Sequence, residues 1–249
     1  MSAVLTIARR EVLSFFVSPI AYVVATVWLL FFGVVYFWLA LMFTQQPPSA
    51  NTNLVQTFFG GTMLFYLPLL VFSPVLTMRL LAEERSQGTI ETLLTAPVSE
   101  TQIVLGKYLA ALTFWVVLWL PTLFYVWIAA GTGEDVLDMG AIGSTYLGVL
   151  CLGIQYMAVG LFMSAVARNQ IVAAMLTFLV LGGLFIVGLG TYASTNDAMR
   201  AVFEYVGVWT QMSAFSKGIV DTRHLAFDFS LAGLALFLTV RVLQTNRGQ

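Results

Sequence analysis

The stretch Ile20–Phe43 reads IAYVVATVWLLFFGVVYFWLALMF and contains no charged residue. One helical crossing of a bilayer needs about 20 predominantly apolar residues, so this stretch is long enough to span a membrane. It lies inside a longer run, from Val12 to Met78, that contains no Asp, Glu, Lys or Arg. A polar, turn-rich segment at residues 44–53 interrupts the run, and this pattern predicts a loop between two spans.

The composition of the whole chain agrees with a membrane location. Charged residues make up 9% of the 249 residues and hydrophobic residues make up 59%. A soluble globular domain carries about 25% charged residues, which it needs to cover its surface. The composition therefore excludes a soluble enzyme, a disordered chain and a basic nucleic-acid binder, and we expect no nucleic-acid partner.

The apolar segments predict an all-α membrane protein with six transmembrane helices. They are too long for barrel strands and lack the alternation of a β-barrel. The last span is the weakest, and we expect Asp228 and Arg241 at its two membrane interfaces. The predicted spans are Ile20–Phe43, Thr57–Leu80, Gln102–Ala130 with Pro121 inside it, Gly140–Ala167, Ile171–Gly190 and Phe227–Leu243.

The distribution of basic residues predicts the orientation of these spans. Lys and Arg are enriched on the cytoplasmic side of membrane proteins. If both ends of the chain are cytoplasmic, eight basic residues lie inside and three lie outside. The inner set is Arg9, Arg10, Arg79, Arg85, Lys107, Arg168, Arg241 and Arg247; the outer set is Arg200, Lys217 and Arg223.

Residues 1–18 precede the first span and contain the charged triplet Arg9, Arg10 and Glu11. We interpret them as an amphipathic interfacial helix with these three side chains in the headgroup layer, ended by Pro19. A twin-arginine export signal is the alternative, but the apolar run that follows is too long for one. The apolar face is predicted to comprise Val4, Leu5, Ala8, Val12, Phe15 and Phe16.

The segment 81–100, between the second and third spans, is charged and has a helical pattern of its own. Gly88 and Thr89 can end one helix and begin another, and Glu91 then lies in the first turn, where the helix dipole favours a carboxylate. Leu93 and Leu94 form an apolar ridge before Pro97. The pattern alone leaves two interpretations open, a helix that docks a partner and a helix that rests on lipid.

The same segment resembles the signature of ABC-2-type transporter permeases. The resemblance rests on Glu83-Glu84-Arg85-x-x-Gly88-Thr89-x-Glu91-x-Leu93-Leu94-x-x-Pro97-Val98-Ser99, followed by Gly106-Lys107. In that family this segment is the coupling helix that contacts a separate ATPase subunit. The resemblance implies that Glu83, Glu84, Arg85 and Glu91 make polar coupling contacts and that Leu93, Leu94 and Pro97 make apolar ones.

Residues 191–226 are too polar for one span and too aromatic for a free loop. We predict two short amphipathic helices that re-enter the outer leaflet, with Tyr205 and Trp209 at headgroup depth. Members of the family carry such a pair between their fifth and sixth spans. The stretch Ser216–Arg223 resembles the stretch found there in the gliding-motility-associated branch of the family. An interfacial loop that shields a dimer is the alternative.

Several chemistries find no support in the sequence. The phosphate-binding motif G-x-x-x-x-G-K-[ST] is absent, so we expect no ATPase activity and no cofactor bound by this chain. Cys151 and His224 are the single Cys and His, which argues against a metal site. The sequence leaves open whether Gln155, Thr62 and Ser73 face a path or dimer seam, or bond to neighbouring backbone.

Taken with the resemblance, these patterns predict the membrane subunit of an ABC exporter in the bacterial cytoplasmic (inner) membrane. The resemblance implies two copies of a P-loop ATPase, which would hold ATP and Mg, and a second permease subunit, identical or not. The rival interpretations are a membrane anchor that recruits a cytoplasmic partner and an ATPase-independent channel or carrier. The transported substrate cannot be inferred from the sequence.

Overall fold

The computed structural model describes residues 3–45, 54–88, 98–131 and 138–247, and within these ranges the chain is helical without strands. The predicted all-α class is confirmed.

Thr89, Glu91, Leu93, Leu94 and Pro97 lie outside the described residues. The helices are α1 (Ala3–Val17), α2 (Pro19–Gln45), α3 (Leu54–Gln56, continued by a π-helical turn at Thr57–Gly61), α4 (Met63–Thr77), α5 (Ala82–Ser86), α6 (Glu100–Trp119), α7 (Leu123–Gly131), α8 (Met139–Val166), α9 (Gln170–Ala193), α10 (Asp197–Val206), α11 (Val208–Ser216) and α12 (Thr222–Arg247).

Among the described residues, five helical segments are long and apolar enough to cross a membrane, and a bent pair makes a sixth. The bent pair is Leu54–Gly61 with Met63–Thr77, which meet at 50°. The six predicted spans are therefore present, although the second is not the single helix Thr57–Leu80 that the sequence predicted. It bends at Thr62, whose backbone is extended (φ −124°, ψ 140°).

Proline has different effects in two spans. Pro121 interrupts the third span, since α6 ends at Trp119 and a 3₁₀ turn at Leu120–Thr122 leads into α7. A proline inside a helix removes one backbone hydrogen bond and crowds the preceding turn, which explains the break. Pro68 and Pro74 lie inside α4 without ending it.

Polar side chains determine where several spans begin. Ser99 and Gln102 form a capping box at the start of α6, with each side chain accepting from the other's backbone N–H. Asp138 accepts a hydrogen bond from the Gly140 N–H at the start of α8. These bonds satisfy N–H groups that lack a partner in the first helical turn.

Helix α8 lies at the centre of the bundle, and α12 packs along it. Small residues in membrane helices let neighbouring helices approach closely, and α8 uses glycines in this way. A methyl group on any of three glycines would collide with a neighbour: Gly148 with Phe215, Gly153 with Trp115, and Gly160 with Thr77.

An aromatic cluster fills the interior between α2, α4 and α6. Trp28 and Phe32 of α2 are wholly buried, with ring centroids 4.6 Å apart. The Trp28 ring meets Trp119 edge-on at 5.0 Å and Phe72 edge-on at 5.0 Å. Edge-to-face pairs are the favoured geometry for aromatic rings, so this cluster stabilises the packing of three spans.

Helices α10 and α11 lie between the last two spans, within the predicted segment 191–226. Helix α11 is packed into the bundle, whereas α10 has no buried residue. Gly188 of α9 and Gly207 approach so closely that a methyl group on Gly188 would lie 2.6 Å from the Gly207 Cα. The Trp209 ring stacks on Tyr66 at 4.9 Å and packs against the core, and its depth in the membrane stays a prediction. Tyr205 is 39% exposed.

The last span begins earlier than predicted, at Thr222 instead of Phe227. As a result Asp228 lies inside the helix and is wholly buried, whereas the sequence placed it at a membrane interface. Its Oδ2 atom accepts a hydrogen bond from the Gln211 side chain of α11. Arg241, at the other end of the span, is exposed as expected.

Candidate functional site

A buried lysine joins three separate helices at one end of the bundle. The Lys107 side chain on α6 is 2% exposed, and its Nζ atom lies 3.0 Å from Glu11 Oε1 of α1 and 2.9 Å from Glu84 Oε1 of α5. A buried charge is costly unless it is paired and hydrogen-bonded. Two carboxylates from different helices therefore converge on Lys107. We call Glu11, Lys107 and Glu84 the lysine triad.

The lysine triad requires α1 to lie directly on α6. Gly106 makes this contact possible, since a methyl group there would be 2.7 Å from Ile7 Cγ2 and 3.2 Å from the Val4 carbonyl oxygen. The face of α1 that packs against the protein includes Val4, Ile7 and Ala8. Leu5 and Phe16, predicted on the same apolar face, are exposed, as is Leu13. Helix α1 thus has one face on the protein and an apolar face directed outward, as an interfacial helix requires.

The short helix α5 is held from the opposite side by α8. The Ser164 hydroxyl accepts hydrogen bonds from the backbone N–H groups of Leu81 (3.1 Å) and Ala82 (3.0 Å) and donates to the Met78 carbonyl (3.1 Å). No side chain of α5 caps its own N-terminus. Ser164 thus satisfies backbone groups that α5 leaves open at its first turn.

Arginine side chains add two further connections to α5. Arg79 pairs with Glu83 (Nε to Oε2, 3.2 Å) and donates to the Ser18 hydroxyl (3.2 Å), which lies between α1 and α2. Arg85 donates to the Val166 carbonyl at the end of α8 (3.3 Å). The chain from Arg79 to Arg85 is therefore connected to α1, α6 and α8, and a displacement of this segment would act on all three.

The structure brings together some of the predicted site residues. Glu83, Glu84 and Arg85 each take part in the contacts around α5, and Gly88 adopts the left-handed backbone (φ 70°) suited to a helix end. On α1, Arg9 and Arg10 are exposed, and Arg10 pairs with Glu11 at 3.2 Å. Glu11 was expected in the headgroup layer, but it turns inward to Lys107.

Sequence reasoning missed Lys107, Ser164 and Arg79 as site residues. A signal existed for Lys107, because a lysine within the membrane-proximal turns of a span needs a carboxylate partner. Ser164 carried no such signal, since a serine inside a membrane helix most often bonds to its own backbone.

Comparisons with known proteins place the chain in a family. A family model described as "ABC-2 family transporter protein" matches residues 43–222. This chain belongs to the ABC-2 family of transporter proteins. The match includes the whole segment between the second and third spans, so it agrees with the resemblance seen in the sequence.

Two curated relatives share part of the chain. They are the inner membrane transport permeases YhhJ of Escherichia coli (strain K12) and of Shigella flexneri. Each is 31% identical over 132 residues, which is 53% of this ABC-2 family chain and 34% of the relative. The match thus covers about a third of the length of the curated relatives.

The polar residues predicted for a path or dimer seam lie inside this ABC-2 family chain. Gln155 is 1% exposed and Ser73 is wholly buried, and their side-chain polar atoms have no hydrogen-bond partner among the described residues. The Thr62 hydroxyl, at the bend of the second span, is likewise buried without a partner there. A role in a path or seam stays a prediction.

Asp228 forms a second buried polar contact, distant in sequence from the lysine triad. One carboxylate oxygen accepts from Gln211, and the other has no hydrogen-bond partner among the described residues. Within the same ranges, no cluster of three or more His, Cys, Asp or Glu residues forms a possible metal site. At the start of the last span, hydrogen bonds from Arg223 hold the pKa of Asp221 below its usual value.

Proposed function

We propose that this chain is the membrane subunit of an ABC exporter and that a separate ATPase moves it through the segment 81–100. Membership of the ABC-2 family supports the transporter class. The lysine triad is the observation that carries the coupling proposal, because it connects α5, where the predicted coupling segment begins, to α1 and α6.

The proposed mechanism uses α5 as a lever. Two ATPases, which hold ATP and Mg, dock on residues 89–98 and on α1 of two permease subunits. When the ATPases move together, they displace α5, and the contacts of Glu84 and Arg85 transmit this displacement to α6 and α8. Such a change needs the ATPases to favour one arrangement of the spans over the other.

We also propose that the chain resides in the bacterial inner membrane with both of its ends on the cytoplasmic side. The distribution of basic residues supports this orientation. So does the exposed apolar side of α1, which can lie in the inner leaflet. Reporter fusions at the end of the chain and within the α10–α11 segment test it, and a cytoplasmic signal from α10–α11 would contradict it.

Docking and transmission are tested by separate variants in the purified complex. Glu91→Ala with Leu94→Ala alters the predicted docking surface, and we expect the ATPase to be lost on purification. Glu84→Gln weakens the ion pair with Lys107, which is the proposed transmission contact, so we expect the ATPase to remain bound but transport to fall. Undiminished association and transport in the docking variant would overturn the coupling assignment.

The rival functions predict different results in reconstituted vesicles. A membrane anchor would retain the ATPase and transport nothing, while a channel or carrier would act without it. For an exporter, ATP added outside inverted vesicles drives cargo inward. Lysate fractions supply candidate cargo, because the sequence and the family leave the substrate open.

A further inference from the structure

A groove between the third and sixth spans combines an apolar wall with a cation at one end. It has a volume of about 360 Å³ and is lined by residues of α6 and α12. Leu105, Leu236 and Val240 form part of its apolar wall, while Thr101, Arg241 and Gln244 lie at its polar end. Since α6 and α12 are both candidate membrane spans, we expect the groove between them to face the lipid.

Among the residues that the structure describes, Arg241 is held in place without a carboxylate partner. Its guanidinium lies 5.0 Å from the centre of the Phe237 ring, and its Nη1 atom donates to Gln244 Oε1 at 3.2 Å. Within residues 3–45, 54–88, 98–131 and 138–247, no Asp or Glu forms an ion pair with it. Within these ranges the charge of Arg241 is therefore oriented, and it has no carboxylate partner there at the end of the apolar groove.

The position of the groove matches the shape of a phospholipid. Thr101 lies in the first turn of α6, so the polar end of the groove is at the boundary of the span. Leu105 is 37% exposed and Phe237 is 53% exposed, so both are accessible from the membrane. Long arginine side chains at span ends reach the headgroup layer, and basic pockets between membrane helices bind anionic headgroups.

We propose that this groove binds an anionic glycerophospholipid, with its phosphate against Arg241 and one acyl chain against Leu105 and Leu236. Charge favours this occupant over a second copy of the chain, because an apolar helix would leave Arg241 without an anion. The lipid is a bound component of the folded protein and not the transported cargo, so the proposal is independent of the proposed function.

The test measures lipid retention by the full chain purified in detergent. Phosphatidylglycerol and phosphatidylcholine with identical acyl chains are added separately and bound lipid is counted by native mass spectrometry. We expect roughly fivefold tighter retention of phosphatidylglycerol, the effect of one arginine near an anionic headgroup. We expect Arg241→Gln to remove this preference and Arg241→Lys to keep most of it. The control is Arg168→Gln, which alters another exposed arginine at a span end and should leave the preference unchanged.

A second pair of variants tests the acyl chain. Leu105→Trp fills the groove and is expected to reduce retention of both lipids, while Leu109→Trp, one turn along the same exposed side of α6, does not. The proposal is overturned if both lipids are retained equally by the unaltered chain, if Arg168→Gln acts like Arg241→Gln, or if Leu105→Trp has no effect. High-yield cross-linking between copies through Leu236→Cys would assign the groove to a second copy instead.

Discussion

Lys107 Nζ of α6 lies 2.9 Å from Glu84 Oε1 of α5, and this contact joins a membrane span to the short helix at the start of the predicted coupling segment. The lysine is 2% exposed, and Glu84 and Glu11 are 19% and 16% exposed at their side chains. The lysine triad is thus largely shielded from water. Salt screens such buried ion pairs less than it screens exposed ones. A connection at this position supports the proposed role of this segment in coupling.

Removal of the Lys107 charge should destabilise the protein. In Lys107→Met the carboxylates of Glu11 and Glu84 would lose the lysine that lies between them, and breaking such a buried pair costs about 3 kcal/mol. We expect a lower midpoint of thermal unfolding in detergent. Lys217→Met, which alters an exposed lysine, is the control, and an equal loss in both variants would remove the special role of Lys107.

The contact between α1 and α6 should depend on the missing side chain of Gly106. Gly106→Ala places a methyl group 2.7 Å from Ile7 Cγ2, and overpacking of this kind costs about 1–3 kcal/mol. We expect faster proteolysis within α1. Gly143→Ala is the matched control because its methyl group meets no atom within 4 Å, and alanine is the better helix former there. Unchanged proteolysis of Gly106→Ala would contradict the close packing.

Ser164 should stabilise the folded conformation of α5, although more than 80 residues separate the two in sequence. Ser164→Ala leaves the Leu81 and Ala82 N–H groups without that acceptor, at a cost of about 1–3 kcal/mol. Hydrogen exchange at residues 81–88 is expected to accelerate. The control is Ser230→Ala, whose hydroxyl bonds only within its own helix, to the Phe227 carbonyl. Equal protection in the Ser164 variant and the unaltered chain would refute the capping role.

Asp228 should tolerate loss of its charge but not loss of its partner. Asp228→Asn keeps an oxygen that can accept from Gln211, and no basic residue within the described ranges pairs with the carboxylate. We expect this variant to unfold at or above the midpoint of the unaltered chain. Gln211→Leu instead leaves the buried carboxyl unsatisfied, which costs about 1–3 kcal/mol. A strongly destabilised Asp228→Asn would show that the negative charge itself is required.

The spans themselves followed from local composition. A segment such as Ile20–Phe43 suits a bilayer, since its apolar length matches the hydrocarbon core and a helix satisfies the backbone groups between its ends internally. One prediction was wrong at a place of close tertiary contact. Span two bends at Thr62, beside the close packing of Gly60 against Met212 and Ser216, and no local signal reveals that contact.

The sequence by itself determined the six apolar segments, the N-terminal helix and the family resemblance, because hydropathy and short motifs are properties of neighbouring residues. Only the tertiary structure decided which charges meet. Glu11, Glu84 and Lys107 come from three helices, and their pairing depends on the close approach that Gly106 permits. Likewise Asp228 is buried and accepts a hydrogen bond from Gln211 of α11, although its place near a span end predicted a membrane interface. The partners of buried polar groups are set by packing over long sequence separations, and a one-dimensional pattern does not contain them.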